Sequence, residues 1–292
     1  MYYIVYGILY LFSLLPMPVL YIFSSLAYFI LYYIAGYRKK VVMANLAQAF
    51  PNKTAEERKA IAKKFYKNFA DSFIETIKLF SAGEQFVRER FAGDFSIFQY
   101  LYDQGKKCQI HSSHNFNWEY ANLGIPLQIP HTLLTVYMPI ENKIFDRIFK
   151  KFRSKTGAVL LPATDMRHSI LPHRNTLYAL ALVADQNPGN PASGYWINFL
   201  GKPAPFVKAP ESGARRGNIP VVFCYFHKEK RGFYKVHFTL AEEFPANTKA
   251  GELTIRYVRF MEEVISKNPE VWLWSHRRWK WDWKPEYGEV IG

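Results

Sequence analysis

The sequence predicts an α/β protein: a mixed β-sheet flanked by helices, with an apolar, membrane-seated helical segment at the N-terminus. Three observations predict it. Residues 2–36 carry no charged side chain. From residue 107 onward, short apolar runs of strand composition alternate with stretches of helical period. Polar residues capable of chemistry stand where those runs end, which is where open α/β sheets bind ligands.

Pro16 and Pro18 divide the charge-free region into residues 2–15 and 19–35. The second piece approaches the roughly 20 residues that cross a bilayer, and the first is too short to cross unaided. A cleaved signal peptide is not expected, because the basic n-region and small-residue cleavage site are missing. Tyr37-Arg38-Lys39-Lys40 follows at once and would hold that end on the cytoplasmic side. One crossing, a shallow re-entrant pair and a buried helical hairpin all fit this pattern. The division drawn from it is residues 1–36 as a membrane-anchoring segment and residues 37–292 as the catalytic domain.

Thr54-Ala55-Glu56-Glu57 is a capping box after Pro51. The helix it starts places Ile61, Phe65, Phe69, Phe73, Ile77 and Phe80 on one face. That face suits core packing or a membrane surface. Residues 107–113 read as a short buried strand opening into a loop, and residues 131–137 as a second strand. Residues 142–156 form an amphipathic helix with Ile144, Phe145, Ile148, Phe149 and Phe152 inward and Gly157 at its C-cap. Residues 158–161 are a short strand. Residues 177–184 are continuously apolar, as a strand covered on both faces requires. Residues 219–226 and 233–240 pair as a hairpin. Residues 253–266 form a last helix, stopped by Asn268-Pro269.

Composition bounds the partners. The chain has 292 residues and a net charge of +14, so anionic partners are expected: nucleic acid, anionic lipid or an acidic protein. Its 24 Phe, 20 Tyr and 7 Trp favour a membrane edge or apolar binding channels. Cys108 and Cys224 lie in apolar runs and read as buried free thiols in a reducing compartment. No metal-type Cys/His spacing is present, and no metal or cofactor is expected.

The candidate chemistry begins with His114-Asn115-Phe116-Asn117-Trp118-Glu119. A histidine beside a carboxylate is what acyl transfer to a hydroxyl or amine needs. The ring takes the proton, and the acid fixes its tautomer. In one continuous helix positions i and i+5 stand about 140° apart, so the pair meets only across a strand-to-helix turn. Local hydrogen bonding of the histidine is the competing reading.

Asp185-Gln186 ends an apolar strand, where a ligand site or a turn-capping aspartate both fit. Arg153 lies near a helix C-terminus, as a solvated dipole partner or as a grip for phosphate or carboxylate. Glu211 reads as a first-turn helix glutamate or a site residue. The run from Trp272 to Trp283 interleaves aromatic and basic residues, as single-stranded nucleic-acid binders, membrane-interface anchors and pocket walls do. Beside a charge-free N-terminus, the membrane reading is preferred. G-x-S-x-G, H-E-x-x-H, P-loop and G-x-G-x-x-G patterns are absent, which favours base-assisted direct attack.

Several of these residues together resemble the bacterial lysophospholipid acyltransferase superfamily, specifically the lauroyl/myristoyl acyltransferases that finish lipid A. The matching pieces are the apolar N-terminus; Tyr37-Arg38-Lys39-Lys40-Val41-Val42-Met43-Ala44-Asn45-Leu46 through Ala49-Phe50-Pro51; His114 with Glu119; Arg153 before Gly157; Asp185-Gln186; Phe199-Leu200-Gly201; and Pro269-Glu270-Val271-Trp272-Leu273-Trp274 leading to His276-Arg277-Arg278-Trp279.

The resemblance covers about residues 36 to 280 and implies a glycerolipid acyltransferase-like fold. It implies an acyl carrier protein thioester as donor and a membrane lipid as acceptor, at the cytoplasmic face of a bacterial inner membrane. His114 is then the base and Glu119 its partner. Arg153, Asp185, Gln186 and, less directly, Glu211 line the substrate side. The run Gly217-Asn218-Ile219-Pro220 is less apolar than the lipid A enzymes lead one to expect. An aminolipid or other lysolipid therefore stands as the alternative acceptor. The non-enzyme alternative is a membrane-tethered nucleic-acid-binding protein; under the acyltransferase reading no nucleic acid is expected.

Overall fold

Two apolar helices, α1 (Tyr2–Ser13) and α2 (Met17–Phe29), open the computed structural model, which describes all residues from Met1 to Gly292. Pro16 and Pro18 end one helix and start the other, because proline suits a first helical turn but not an interior. A π-helical turn continues α2 over Ile30–Ile34. Met17–Ile34 is long and apolar enough to cross a membrane. The hairpin nevertheless lies along the rest of the chain. Helix α3 (Lys39–Ala49) leads to α4 (Ala55–Leu79), against which both hairpin helices pack.

The N-terminus of α4 is the expected capping box. Thr54 Oγ1 accepts from Glu57 N at 3.2 Å, and Glu57 Oε2 accepts from Thr54 N at 2.7 Å. At its other end Lys155 Nζ donates to the carbonyls of Leu79 and Ala82 at 2.7 and 2.6 Å, so a cation meets the negative end of the dipole.

Beyond α4 come α5 (Glu84–Arg90), β1 (Phe91–Gly93), α6 (Ser96–Asp103), β2 (Cys108–Ser112), α7 (Trp118–Gly124), β3 (Thr132–Tyr137), α8 (Lys143–Arg153), β4 (Val159–Pro162), α9 (Met166–Ser169) and β5 (Tyr178–Val183). The chain continues through β6 (Tyr195–Phe199), β7 (Lys202–Phe206), α10 (Ala209–Gly217), β8 (Val221–Lys230), β9 (Phe233–Glu242), α11 (Glu252–Lys267) and β10 (Val290–Ile291). The main sheet runs β1-β9-β8-β2-β5-β3-β4. Only the β8–β9 hairpin is antiparallel, so the sheet is mixed as the alternation predicts.

Side-chain alternation along β8 builds both cores. Val222, Cys224 and Phe226 face one apolar cluster, with residues from α6, α7 and α8. Val221 and Phe223 face the other, with residues from α4, α11 and the Trp272–Trp274 segment. Cys108 and Cys224 are buried free thiols, and burial pushes Cys224 up to about 12.

Four features add to or depart from the expected pattern. β6, β7 and β10 form a second, three-stranded sheet that the apolar pattern did not reveal. Phe145 is exposed rather than inward, and Phe73 is the exposed member of the α4 stripe that suits core packing or a membrane surface. The buried face of α4 carries Asp71 and Glu75 at zero exposure, a polar pair hidden within an apolar stripe. Trp272 and Trp274 are core residues and not a membrane anchor: they pack with Phe199 and with Phe50.

Candidate active site

The site grows from two neighbouring parallel strands. β2 and β5 pair in register, with Ser112 opposite Val183. Two residues beyond each of these stand His114 and Asp185. Equal offsets from a paired rung bring the two side chains together outside the carboxyl ends of the strands.

His114 Nδ1 lies 2.5 Å from Asp185 Oδ1. Asp185 Oδ2 accepts from the His114 backbone N–H at 3.0 Å and from Trp272 Nε1 at 2.8 Å. A carboxylate accepts but does not donate, so Nδ1 carries the proton and Nε2 is left with a lone pair. Gln186 Nε2 approaches that nitrogen at 3.3 Å. Trp118 meets the imidazole edge-to-face at 5.7 Å between centroids. Burial alone pushes Asp185 up, but the electrostatic pull of the adjoining His114 ring and the three hydrogen bonds outweigh it and hold the carboxyl below its usual range.

Glu119 does not make the expected contact. It stands in the first turn of α7, where Asn117 Oδ1 caps its N–H at 3.1 Å, and it makes no hydrogen bond to His114. Its carboxylate is taken by Arg153 instead. Arg153 Nε reaches the two oxygens at 3.2 and 3.0 Å, and Nη2 reaches Oε1 at 2.5 Å. The helix dipole explains both positions: the acid begins α7 and the base ends α8. The structure therefore pairs Glu119 with Arg153 and not, as expected, with His114. The carboxylate that meets His114 is Asp185, which comes from the neighbouring strand and is invisible to local spacing.

Glu211 also finds its partners inside the protein. One oxygen accepts from Gly251 N at 2.6 Å, and the other from Thr254 N at 3.0 Å and Thr254 Oγ1 at 2.5 Å. The side chain is buried and caps the start of α11.

Three further groups support the loops that carry His114 and Asp185. Phe116 N donates to Val271 O at 3.0 Å, tying the loop to the Trp272 segment. Asn117 Nδ2 donates to Ser72 O at 3.2 Å and approaches Glu75 Oε2 at 3.4 Å. Fully buried Arg278 donates to Asn187 Oδ1 at 2.5 Å and to Pro205 O at 2.9 Å, which fixes the turn after Gln186. Arg278 stood within the C-terminal Trp/basic run, but only tertiary packing shows it pointing inward. His276, beside it, is lowered to about 4 by burial and by the Arg278 charge, so it is neutral at neutral pH.

The site therefore holds an oriented imidazole with one accepting nitrogen, a buried carboxylate behind it and an Arg–Glu pair on the adjacent helices. It contains no group of His, Cys, Asp and Glu side chains spaced to hold a metal ion. The family model described as bacterial lipid A biosynthesis acyltransferase matches residues 1–281. A lipid A biosynthesis palmitoleoyltransferase from Escherichia coli (strain K12) is 21% identical over 281 residues, covering 94% of this chain and 89% of the relative. A lipid A biosynthesis acyltransferase from Shigella flexneri matches with the same identity and coverage. The chain belongs to the bacterial lipid A biosynthesis acyltransferase family.

Proposed function

We propose that this acyltransferase moves a fatty acyl chain from an acyl carrier protein thioester to a hydroxyl of a lipid A precursor, by base-assisted direct attack. The observation that carries the mechanism is the 2.5 Å contact between His114 Nδ1 and Asp185 Oδ1, which leaves Nε2 as an acceptor. Nε2 takes the proton of the acceptor hydroxyl as its oxygen bonds to the thioester carbonyl carbon. Asp185 offsets the imidazolium charge that forms. The tetrahedral intermediate then collapses, the C–S bond breaks, and the imidazolium returns the proton to the departing thiolate. Gln186 and Arg153 stand on the substrate side. Arg153 spends Nε and Nη2 on Glu119, which leaves Nη1 for an anionic oxygen. No cofactor takes part in this sequence.

The same proposal seats the protein at the cytoplasmic face of an inner membrane. The outer side of the hairpin exposes Ile4, Ile8, Leu11, Ile22, Leu26 and Phe29, an apolar surface of the kind that marks a membrane or protein contact. Its inner side is tied to charged groups of the folded domain: Ser24 Oγ donates to Asp71 at 2.6 Å and Tyr21 OH to Glu75 at 3.0 Å. A hairpin held this way dips into one leaflet and leaves the active site at the surface. The acidic carrier protein suits the net charge of +14.

Membranes containing the acceptor, supplied with labelled acyl carrier protein, test the proposal. Wild type transfers label to the lipid and His114→Ala does not; full transfer by the variant would sink the mechanism. Label appearing on an aminolipid instead of a lipid A precursor would replace the acceptor and keep the chemistry.

A further inference from the structure

Where the apolar hairpin meets α3 and Arg277 lies a wide, open cleft of about 610 Å³. Gly36, Arg38, Lys39, Lys40 and Arg277 line it, with Val41 and Met43. None of its four cations is ion-paired with a carboxylate; Arg38 Nη1 donates to Ser275 O at 3.0 Å, and Lys39 Nζ stands 4.0 Å from the centroid of the Tyr32 ring. Lys39 and Lys40 occupy the first turn of α3, where the helix dipole disfavours cations and no acidic residue offsets them. Four cations without a carboxylate partner, gathered around one open cleft, suit an anion from outside.

Two connections define that anion. The cleft starts at Gly36, two residues after Ile34, and Tyr33 and Ile34 are 53% and 70% exposed at the end of the apolar hairpin. It is also joined to the catalytic histidine: Asn187 Nδ2 donates to Arg277 O at 2.9 Å, and Gln186, one residue earlier, touches His114 Nε2. A ligand spanning these features has an anionic head beside hydrocarbon. We propose that the cleft binds the phosphate of a phosphorylated lipid and so presents the lipid's neighbouring hydroxyl to His114.

Arginine with lysine suits phosphate, whose oxygens accept from a guanidinium fork and from point charges together. A carrier protein fits less well, because a stable protein interface needs a broad surface of about 1,000 Å² or more rather than a cleft running into an apolar face. The proposal rests on the reading that the hairpin seats the chain in a membrane.

Vesicle sedimentation tests it. The probes are phosphatidylcholine vesicles, the same vesicles carrying phosphatidic acid, and vesicles brought to equal surface charge with oleate. The full-length protein is compared with Lys40→Gln/Arg277→Gln and with a control, Lys63→Gln/Lys67→Gln, which removes the same charge from the exposed side of α4. The cleft variant should bind phosphatidic acid vesicles about tenfold to thirtyfold more weakly than wild type, a loss near what two basic residues contribute at a membrane surface. The control should lose less than threefold, and the oleate vesicles should separate the cleft variant from wild type far less than phosphatidic acid does.

Charge-keeping Lys40→Arg/Arg277→Lys should retain binding, which guards against a folding defect. Equal losses in cleft variant and control, equal losses on oleate, or a loss confined to acyl carrier protein binding would each overturn the proposal. Wild type bound to no vesicles would overturn the membrane seat and the cleft with it. Wild type bound equally with and without phosphatidic acid would overturn the cleft alone.

Discussion

His114 and Asp185 stand at equal distances beyond the paired residues Ser112 and Val183, and the shared rung of the sheet sets their 2.5 Å contact. The relationship predicts how each residue fails. Asp185→Asn keeps the shape but offers an amide where the carboxylate was, so the imidazole loses its preferred tautomer and its counter-charge. We expect kcat to fall by about a thousandfold or more, with KM changed far less, as for other His–Asp pairs. Steady-state kinetics with a fixed acceptor check this. A kcat within tenfold of wild type would make Asp185 a turn residue only.

Glu119 and Arg153 predict a different phenotype. The side chains are 5% and 20% exposed, so removing one leaves the other charged and poorly hydrated. Arg153→Met should cost about 3 kcal/mol of stability. Glu119→Met/Arg153→Met should recover much of that loss, because two apolar side chains replace the pair. Urea unfolding of the two singles and the double gives the coupling. If Glu119 instead orients His114, Glu119→Gln will shift the acid limb of the pH–rate profile; on the geometry described, only Asp185→Asn shifts it.

Much of this was legible in the sequence, and the exceptions share a cause. The capping box at Thr54 and Glu57, the strand that ends at Ser112 and the hairpin of β8 and β9 depend on neighbours in the chain, so their patterns survive in one dimension. His114 and Asp185 were both singled out, but their pairing was not, because 71 residues separate them and only strand register joins them. Glu119 was nearer in sequence and so drew the assignment. Asp71 and Glu75 stayed hidden because helical period reports which face is buried, while their partners Lys228, Arg231 and Tyr234 come from a distant hairpin.

Glu211 yields a prediction that separates a cap from a substrate contact. Its two oxygens take up the Gly251 and Thr254 N–H groups at the start of α11. Glu211→Ala should lower stability by about 1–3 kcal/mol, the cost of leaving buried donors unsatisfied. KM for the lipid acceptor should stay within about twofold of wild type, since uniform substrate binding is not lost. Thermal unfolding and kinetics on the same preparation read both quantities. A large rise in KM without destabilisation would return Glu211 to the substrate site.

Asp71 fixes the hairpin to the domain, and its titration predicts acid release. Burial alone raises its pKa, but the bonds from Arg231, Lys228 and Ser24 overcome that and hold it below the ordinary aspartate value. A carboxyl whose folded pKa is depressed stabilises the fold above its unfolded pKa, about 3.9, and loses that contribution as pH falls through the folded value. Asp71→Asn should therefore be less stable than wild type at neutral pH, by about 2 kcal/mol given that both cationic partners are partly exposed. The gap should stay level down to about pH 5 and close below that, because wild type alone loses the ion pairs. Hydrogen exchange in α2 should rise in the variant at neutral pH and in wild type only on acidification. A gap that widens as pH falls would show that Asp71 is not the charged anchor of the hairpin.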